Sequence, residues 1–180
     1  MKKFLFNIGV VAFFVMCICW VGCSKNKQQV SQLSADSVAK VESLPQMNET
    51  MIKAYDQVMR NHLSENGQCE YFLFDITGDK LPELWVKTGT CEADYALYVY
   101  TYDQEVKQLL KDFAGHSSFF QGKDYVIQMT AQMGYELWTK FTFDGKIVSE
   151  KIFEGSISGD EDYKYPGEPR IEMKTFDNGL

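Results

Sequence analysis

From residue 71 onward the chain is a succession of β-branched and aromatic runs parted by short polar turns, and this limits its fold more than any other feature. The runs cover 71–75, 83–88, 95–102, 106–113, 125–132, 135–143, 147–153 and, last, 171–176. A parallel strand pair needs a crossover of a dozen or more residues, and the connections are too short for that. The strands are therefore expected to form an antiparallel meander of about seven or eight. Asp144-Gly145 is the clearest hairpin signal. In the strand before it, Tyr135, Leu137, Thr139, Phe141 and Phe143 share one face, while Glu136, Trp138, Lys140 and Thr142 share the other. Residues 159–169, acidic and with two prolines, read as an irregular loop.

One helix precedes the strands. An Asn48-Glu49 start leads into Met51, Ile52, Tyr55, Val58, Met59 and His62 or Leu63, spaced three and four apart, and Gly67 marks the stop. The expected fold is α+β, mainly β, with one N-terminal amphipathic helix packed on the meander. Residues 48–180 form a single globular domain on this reading.

The first two dozen residues read as an address. Lys2 and Lys3 give a positive start, Phe4 to Val21 is apolar apart from Asn7 and Gly9, and Val21-Gly22 places small residues before Cys23. The apolar stretch is about as long as a short membrane span, which leaves an uncleaved anchor as the competing reading. The segment resembles the lipobox of bacterial lipoproteins, with Trp20 where that family usually has leucine. The resemblance implies a signal peptide over 1–22 and lipid on Cys23, holding the chain to a membrane. Ser24 does not resemble an inner-membrane retention aspartate, so the outer membrane is favoured over the inner. Residues 23–47 are rich in Gln, Ser, Lys and Asn and read as a flexible tether, with a span of ~27 Å. Loss of Lys2 and Lys3 with the signal moves the formal net charge from −7 to −9, which argues against a nucleic-acid partner.

Removal of Cys17 and Cys19 and lipidation of Cys23 leave Cys69 and Cys91. In an exported chain a disulfide is the natural inference. A hairpin turning about Lys80 would place the two opposite each other, where a bridge could contribute ~3 kcal/mol. The competing reading is a zinc site from Cys69, Cys91, His62 and His116, although no tightly paired ligands such as C-x₂-C occur.

The same turn carries Asp75-Ile-Thr-Gly-Asp79-Lys-Leu-Pro-Glu83-Leu84. Alternating oxygen side chains followed by a carboxylate suit a hard cation. The segment resembles the D-x-[DN]-G-D-G-x-P-E-L loops of secreted bacterial β-proteins, related to the FG-GAP and VCBS calcium loops. That resemblance implies Asp75, Thr77, Asp79 and Glu83 as side-chain ligands of calcium, with the Leu81 carbonyl between them. Thr77 replaces an Asp or Asn, Lys80 stands at the usual glycine, and Val86 rather than a bidentate acid occupies the twelfth position. The alternative is a turn in which Asp75 and Asp79 bond backbone N–H groups. Together with Pro-Glu-Leu-Trp-Val, Val-Tyr-Thr-Tyr and Phe-Asp-Gly-Lys, residues 50–155 are similar to a family of uncharacterised secreted bacterial proteins and lipoproteins, which supplies fold and address but no activity.

Signals for catalysis are weak. There is no Walker loop, no H-E-x-x-H, no G-x-S-x-G and no dinucleotide-binding glycine pattern. His116 lies beside Ser117 and Ser118, and Glu92 and Asp94 form one of many acidic pairs; a turn or polar cluster accounts for both, and no enzyme is expected. Tyr98, Tyr100 and Tyr102 alternate along one strand and, with Trp138, form the candidate binding surface, unless that face lies under the helix. The expected role is a non-catalytic binding module of the cell envelope for a glycan or protein. The alternatives are an inhibitor of a basic host enzyme such as lysozyme, acting through the acidic loop 158–168, and, third, a hydrolase.

Overall fold

The computed structural model describes residues 47–156 and 166–177, in which one helix and nine strands build an α+β, mainly β domain. Helix α1 (Glu49–Asn66) begins as its cap chemistry dictates. Asn48 Oδ1 accepts the Met51 N–H at 2.8 Å, and Gly67, at φ 76°, returns its N–H to the Leu63 carbonyl. The helix buries Met51, Tyr55, Met59 and His62. Each of the two methionines and the tyrosine ring contributes about 1.5–3 kcal/mol by leaving water. The Tyr55 hydroxyl also donates to the Pro82 and Tyr100 carbonyls, at 3.1 and 3.2 Å, fixing where the helix docks. Burial pushes its pKa up.

The strands are β1 (Cys69–Phe74), β2 (Glu83–Thr88), β3 (Ala96–Asp103), β4 (Glu105–Phe113), β5 (Ser117–Gln121), β6 (Val126–Gln132), β7 (Tyr135–Phe143), β8 (Ile147–Ser156) and β9 (Lys174–Thr175). Every named pairing is antiparallel, as the short connections require. The meander, however, divides into two sheets, ordered β4-β3-β2-β1-β9 and β5-β6-β7-β8. The division falls at residues 114–116, between β4 and β5. Strand β5 was absent from the expected list, because Ser-Ser-Phe-Phe-Gln is short and does not alternate.

Central strand β2 is buried along its whole length, so both of its faces are covered. One face carries Leu84 and Val86 and packs with Cys69, Tyr71 and Phe176 under the helix. The opposite face carries Glu83, Trp85 and Lys87 and looks toward the second sheet. There Phe72, Trp85, Leu97, Val99, Phe119, Val126 and Phe141 form the inter-sheet core, with Phe72 stacked on Trp85 at 5.2 Å between ring centroids. A third cluster, Phe120, Ile127, Met129 and Trp138, lies on the other face of the second sheet.

The hairpin register corrects one expectation. Cys69 pairs with Thr88 and Phe74 with Glu83, so the turn is centred between Gly78 and Asp79 rather than on Lys80. Cys91 thus lies three residues beyond the position opposite Cys69. Both thiols are free, Cys69 buried on the helix side and Cys91 exposed in the turn before β3. Burial lifts the Cys69 thiol pKa to about 12.

Candidate functional site

The four aromatic residues expected to form one binding surface do not come together. Tyr98, Tyr100 and Tyr102 share a face, but it is the face beneath the helix, where they are half-buried against the Leu84 and Val86 cluster. The Tyr100 hydroxyl lies 2.7 Å from His62 Nε2, and the His62 ring is 4.5 Å from that of Tyr98. Trp138 is on the other sheet, buried among Phe120, Ile127 and Met129, and its Nε1 donates to Glu136 Oε2 at 2.9 Å. Docking of the helix and the separation into two sheets decided this, and neither is visible in strand alternation.

An exposed aromatic groove exists elsewhere. Along the β6–β7 pair one face begins with Val126 opposite Phe141, both in the inter-sheet core. It continues through Gln128 opposite Thr139 and Thr130 opposite Leu137 to Gln132 opposite Tyr135. These last six residues, with Asp112 and Phe113 from the end of β4, line a groove of about 250 Å³. Phe113 is 53% exposed and Tyr135 46%, whereas most large apolar side chains of the domain are buried. Fully exposed Met133 stands at the adjoining hairpin tip, in a left-handed conformation with φ 54°.

The groove is held from beneath. Buried Gln128 donates through Nε2 to the Phe113 carbonyl at 2.7 Å and to Ser117 Oγ at 2.8 Å, tying the ends of β4, β5 and β6. Gly115 has a specific job at the crossover. A Cβ there would sit 2.4 Å from Phe113 Cζ and 2.8 Å from the Glu92 carbonyl, so only glycine lets the Phe113 ring lie where it does. The Tyr135 hydroxyl is bonded to Glu154 on β8, which orients the second ring. Sequence alternation had placed Tyr135, Leu137 and Thr139 on one face. Phe113 carried no such signal, because its exposure depends on the crossover.

The 75–83 loop takes the turn form. Asp75 accepts the Gly78 N–H at 2.7 Å and the Lys80 N–H at 2.9 Å, and Asp79 accepts that of Leu81 at 2.7 Å. Glu83 is turned inward and only 1% exposed. Its Oε2 accepts the Ile76 and Thr77 N–H groups at 2.9 and 3.3 Å, and its Oε1 the Thr77 and Thr101 hydroxyls at 3.2 and 3.1 Å. Burial raises the Glu83 pKa against the pull of these hydrogen bonds. Lys80 holds φ 74°, the conformation that such loops give to glycine. Among the described residues no group of three or more His, Cys, Asp or Glu side chains converges as a metal would need. Of the residues that the calcium-loop resemblance implies, Asp75, Thr77, Asp79, Leu81 and Glu83, the three acids direct carboxylate oxygens to N–H and hydroxyl donors.

The remaining polar candidates are also engaged locally. Asp94 accepts from the Thr90 and Cys91 N–H groups, both at 2.8 Å, and from the Thr90 hydroxyl at 2.5 Å, which holds its pKa down. Ser117 Oγ bonds the Gly115 carbonyl and Thr130, and Ser118 Oγ accepts from Arg170. Neither serine bonds to His116. The signal segment, Cys23, the tether up to residue 46 and most of the acidic loop 158–168 lie outside the described residues. Among the described residues no helix is long and apolar enough to cross a membrane. No family model matches the chain, and neither does any curated protein or solved structure.

Proposed function

We propose that this chain is a lipid-anchored, non-catalytic binding module of a bacterial cell envelope that takes a glycan in the groove between Phe113 and Tyr135. One observation carries the reading: two exposed rings flank a floor of amides and hydroxyls. A sugar presents C–H faces that pack on aromatic rings and hydroxyls that both donate and accept. Gln132 and Thr139 offer the matching donors and acceptors, and Asp112 an acceptor. The anchor rests on the Lys2-Lys3 start, the apolar stretch and Cys23, with the outer membrane favoured by Ser24.

Titration calorimetry of the full-length chain in detergent, against chitotetraose and cellotetraose, tests the groove. Burying a ring is worth about 1–3 kcal/mol, so Phe113→Ala or Tyr135→Ala should each weaken binding by roughly five- to a hundredfold. No heat with either sugar, together with capture of an envelope protein that Tyr135→Ala abolishes, would make the groove a protein-docking surface. Labelled palmitate entering the chain but not its Cys23→Ser variant tests the anchor.

A further inference from the structure

Beside the start of β5 the domain has a second cleft, of about 400 Å³, lined by residues other than those of the aromatic groove. Its floor is the β1–β2 pair, where Glu70 stands directly across from Lys87. Its walls are Glu92 from the turn before β3, the start of β5 with His116, Ser117 and Ser118, and the 170–173 segment with Arg170 and Glu172. Pairing of Phe120 with Arg170, and the bond from the Ile171 N–H to the Phe119 carbonyl, hold that segment against β5. His116 is pinned at φ 52°, its N–H donating to the Glu92 carbonyl and its own carbonyl accepting the Ala131 N–H, both at 3.1 Å. The cleft walls are thus fixed by backbone bonds, not by chance side-chain placement.

Lys87 is the unusual member. Only 6% of its side chain is exposed, yet no hydrogen bond holds its ammonium among the described residues. The nearest carboxylate oxygens, Glu70 Oε2 and Glu92 Oε1, are 3.7 and 3.6 Å from Nζ, too far for a direct bond, and the Tyr95 ring lies 4.4 Å away. Ion-paired with both carboxylates yet hydrogen-bonded to neither, the Lys87 ammonium borders the cleft and can donate an N–H to an oxygen bound there. On the 170–173 wall, exposed Arg170 donates to Ser118 Oγ at 3.1 Å, and Glu172 is exposed beside it.

These groups define the ligand by its charges. Three carboxylates, Glu70, Glu92 and Glu172, and two cations, Lys87 and Arg170, line the cleft together, so a simple anion would meet the carboxylates. A simple cation would meet Lys87 and Arg170. The geometry points to a second binding site, distinct from the glycan groove, for a small zwitterion: an amino acid or short peptide whose carboxylate meets Lys87 and Arg170 and whose ammonium meets Glu172 and Glu92. A cleft of this size takes a ligand of one or two residues, and its polar lining offers an apolar side chain little.

Calorimetry on the full-length chain in detergent, with glycylglycine, sodium acetate, methylammonium chloride and glucose as separate probes, tests this. Two charge-assisted contacts in place of one should make glycylglycine bind at least about tenfold tighter than acetate or methylammonium. Arg170→Gln and Glu172→Gln alter exposed side chains, and each should weaken glycylglycine by about tenfold or more. Tyr135→Ala should leave glycylglycine binding unchanged, which separates this site from the glycan groove. Acetate binding as tightly as glycylglycine, glucose binding in its place, indifference to both variants, or no binding of glycylglycine at tens of millimolar would each overturn the proposal.

Discussion

Replacing Glu83 tests the reading of the 75–83 loop most directly, because one buried carboxylate gathers both ends of that loop and β3. In Glu83→Ala the hydroxyls of Thr77 and Thr101 can turn to other acceptors, but the Ile76 and Thr77 N–H groups lose theirs, the first of them in a buried position. Hydrogen bonds to a charged group are worth about 1.5–3 kcal/mol each. Against this stands relief of the desolvation that raises the Glu83 pKa. The net expectation is a loss of about 3 kcal/mol, a large share of a domain stability of roughly 5–15 kcal/mol. Glu83→Gln keeps an acceptor for both N–H groups and sheds the charge, so its cost should stay near ~1 kcal/mol. Because the folded pKa of Glu83 is raised, its favourable contribution is complete below the ordinary value of 4.5 and is lost as pH rises through the folded value. The parent should therefore lose ground to the Gln variant as pH rises toward neutrality. Urea unfolding of the full-length chain in detergent, followed by tryptophan fluorescence across that pH range, measures all three. An Ala variant within about 1 kcal/mol of the parent would refute the anchoring role. A parent midpoint that rises with millimolar calcium after EDTA, and no longer does so in Asp79→Ala, would refute the assignment of these oxygens to backbone.

Three further outcomes are expected. Burial holds the His62 pKa below its ordinary value of 6.5, so its contribution to stability is complete above 6.5 and lost as pH falls through the lowered value. His62→Phe should flatten that part of the pH–stability curve, and an unchanged slope would show that the ring titrates elsewhere. Lys80→Gly should raise stability by about 0.5–1 kcal/mol in the same urea assay, since a left-handed residue gives up its Cβ strain; a comparable loss would contradict it. Peptide mapping after alkylation of the native chain should find Cys91 modified and Cys69 protected until unfolding. Protection of both until a reductant is added would mean that they are joined.

Local chemistry made the helix and most strands legible. Asn48 and Gly67 bound the helix because cap and left-handed positions have specific side-chain demands, and runs such as 83–88 were evident from composition. The division into two sheets was not, because it depends on contacts between elements, such as the Phe113 ring and the Glu92 carbonyl that leave no room for a side chain at Gly115. The same limit applies to the sites. Alternation identified the shared face of Tyr98, Tyr100 and Tyr102 but could not show that α1 covers it. Lys87 drew no notice, since a lysine in a strand usually faces solvent; its burial follows from the second sheet and the 170–173 segment.

Strand β9 is only two residues long, yet it pairs Thr175 with Glu70 and Lys174 with Tyr71 and sends the Phe176 N–H to the Cys69 carbonyl. Other pairings in both sheets join strands that follow one another in sequence, so each can form as a local hairpin. This one closes a loop of about a hundred residues and should come late, after both sheets exist. Until it does, β1 presents an open row of amides and carbonyls beside Tyr71 and Leu73, a template on which another unfinished chain could add a strand. The short strand thus guards the domain against self-association, and a nick between residues 173 and 174 should show first as aggregation, before any loss of glycan binding.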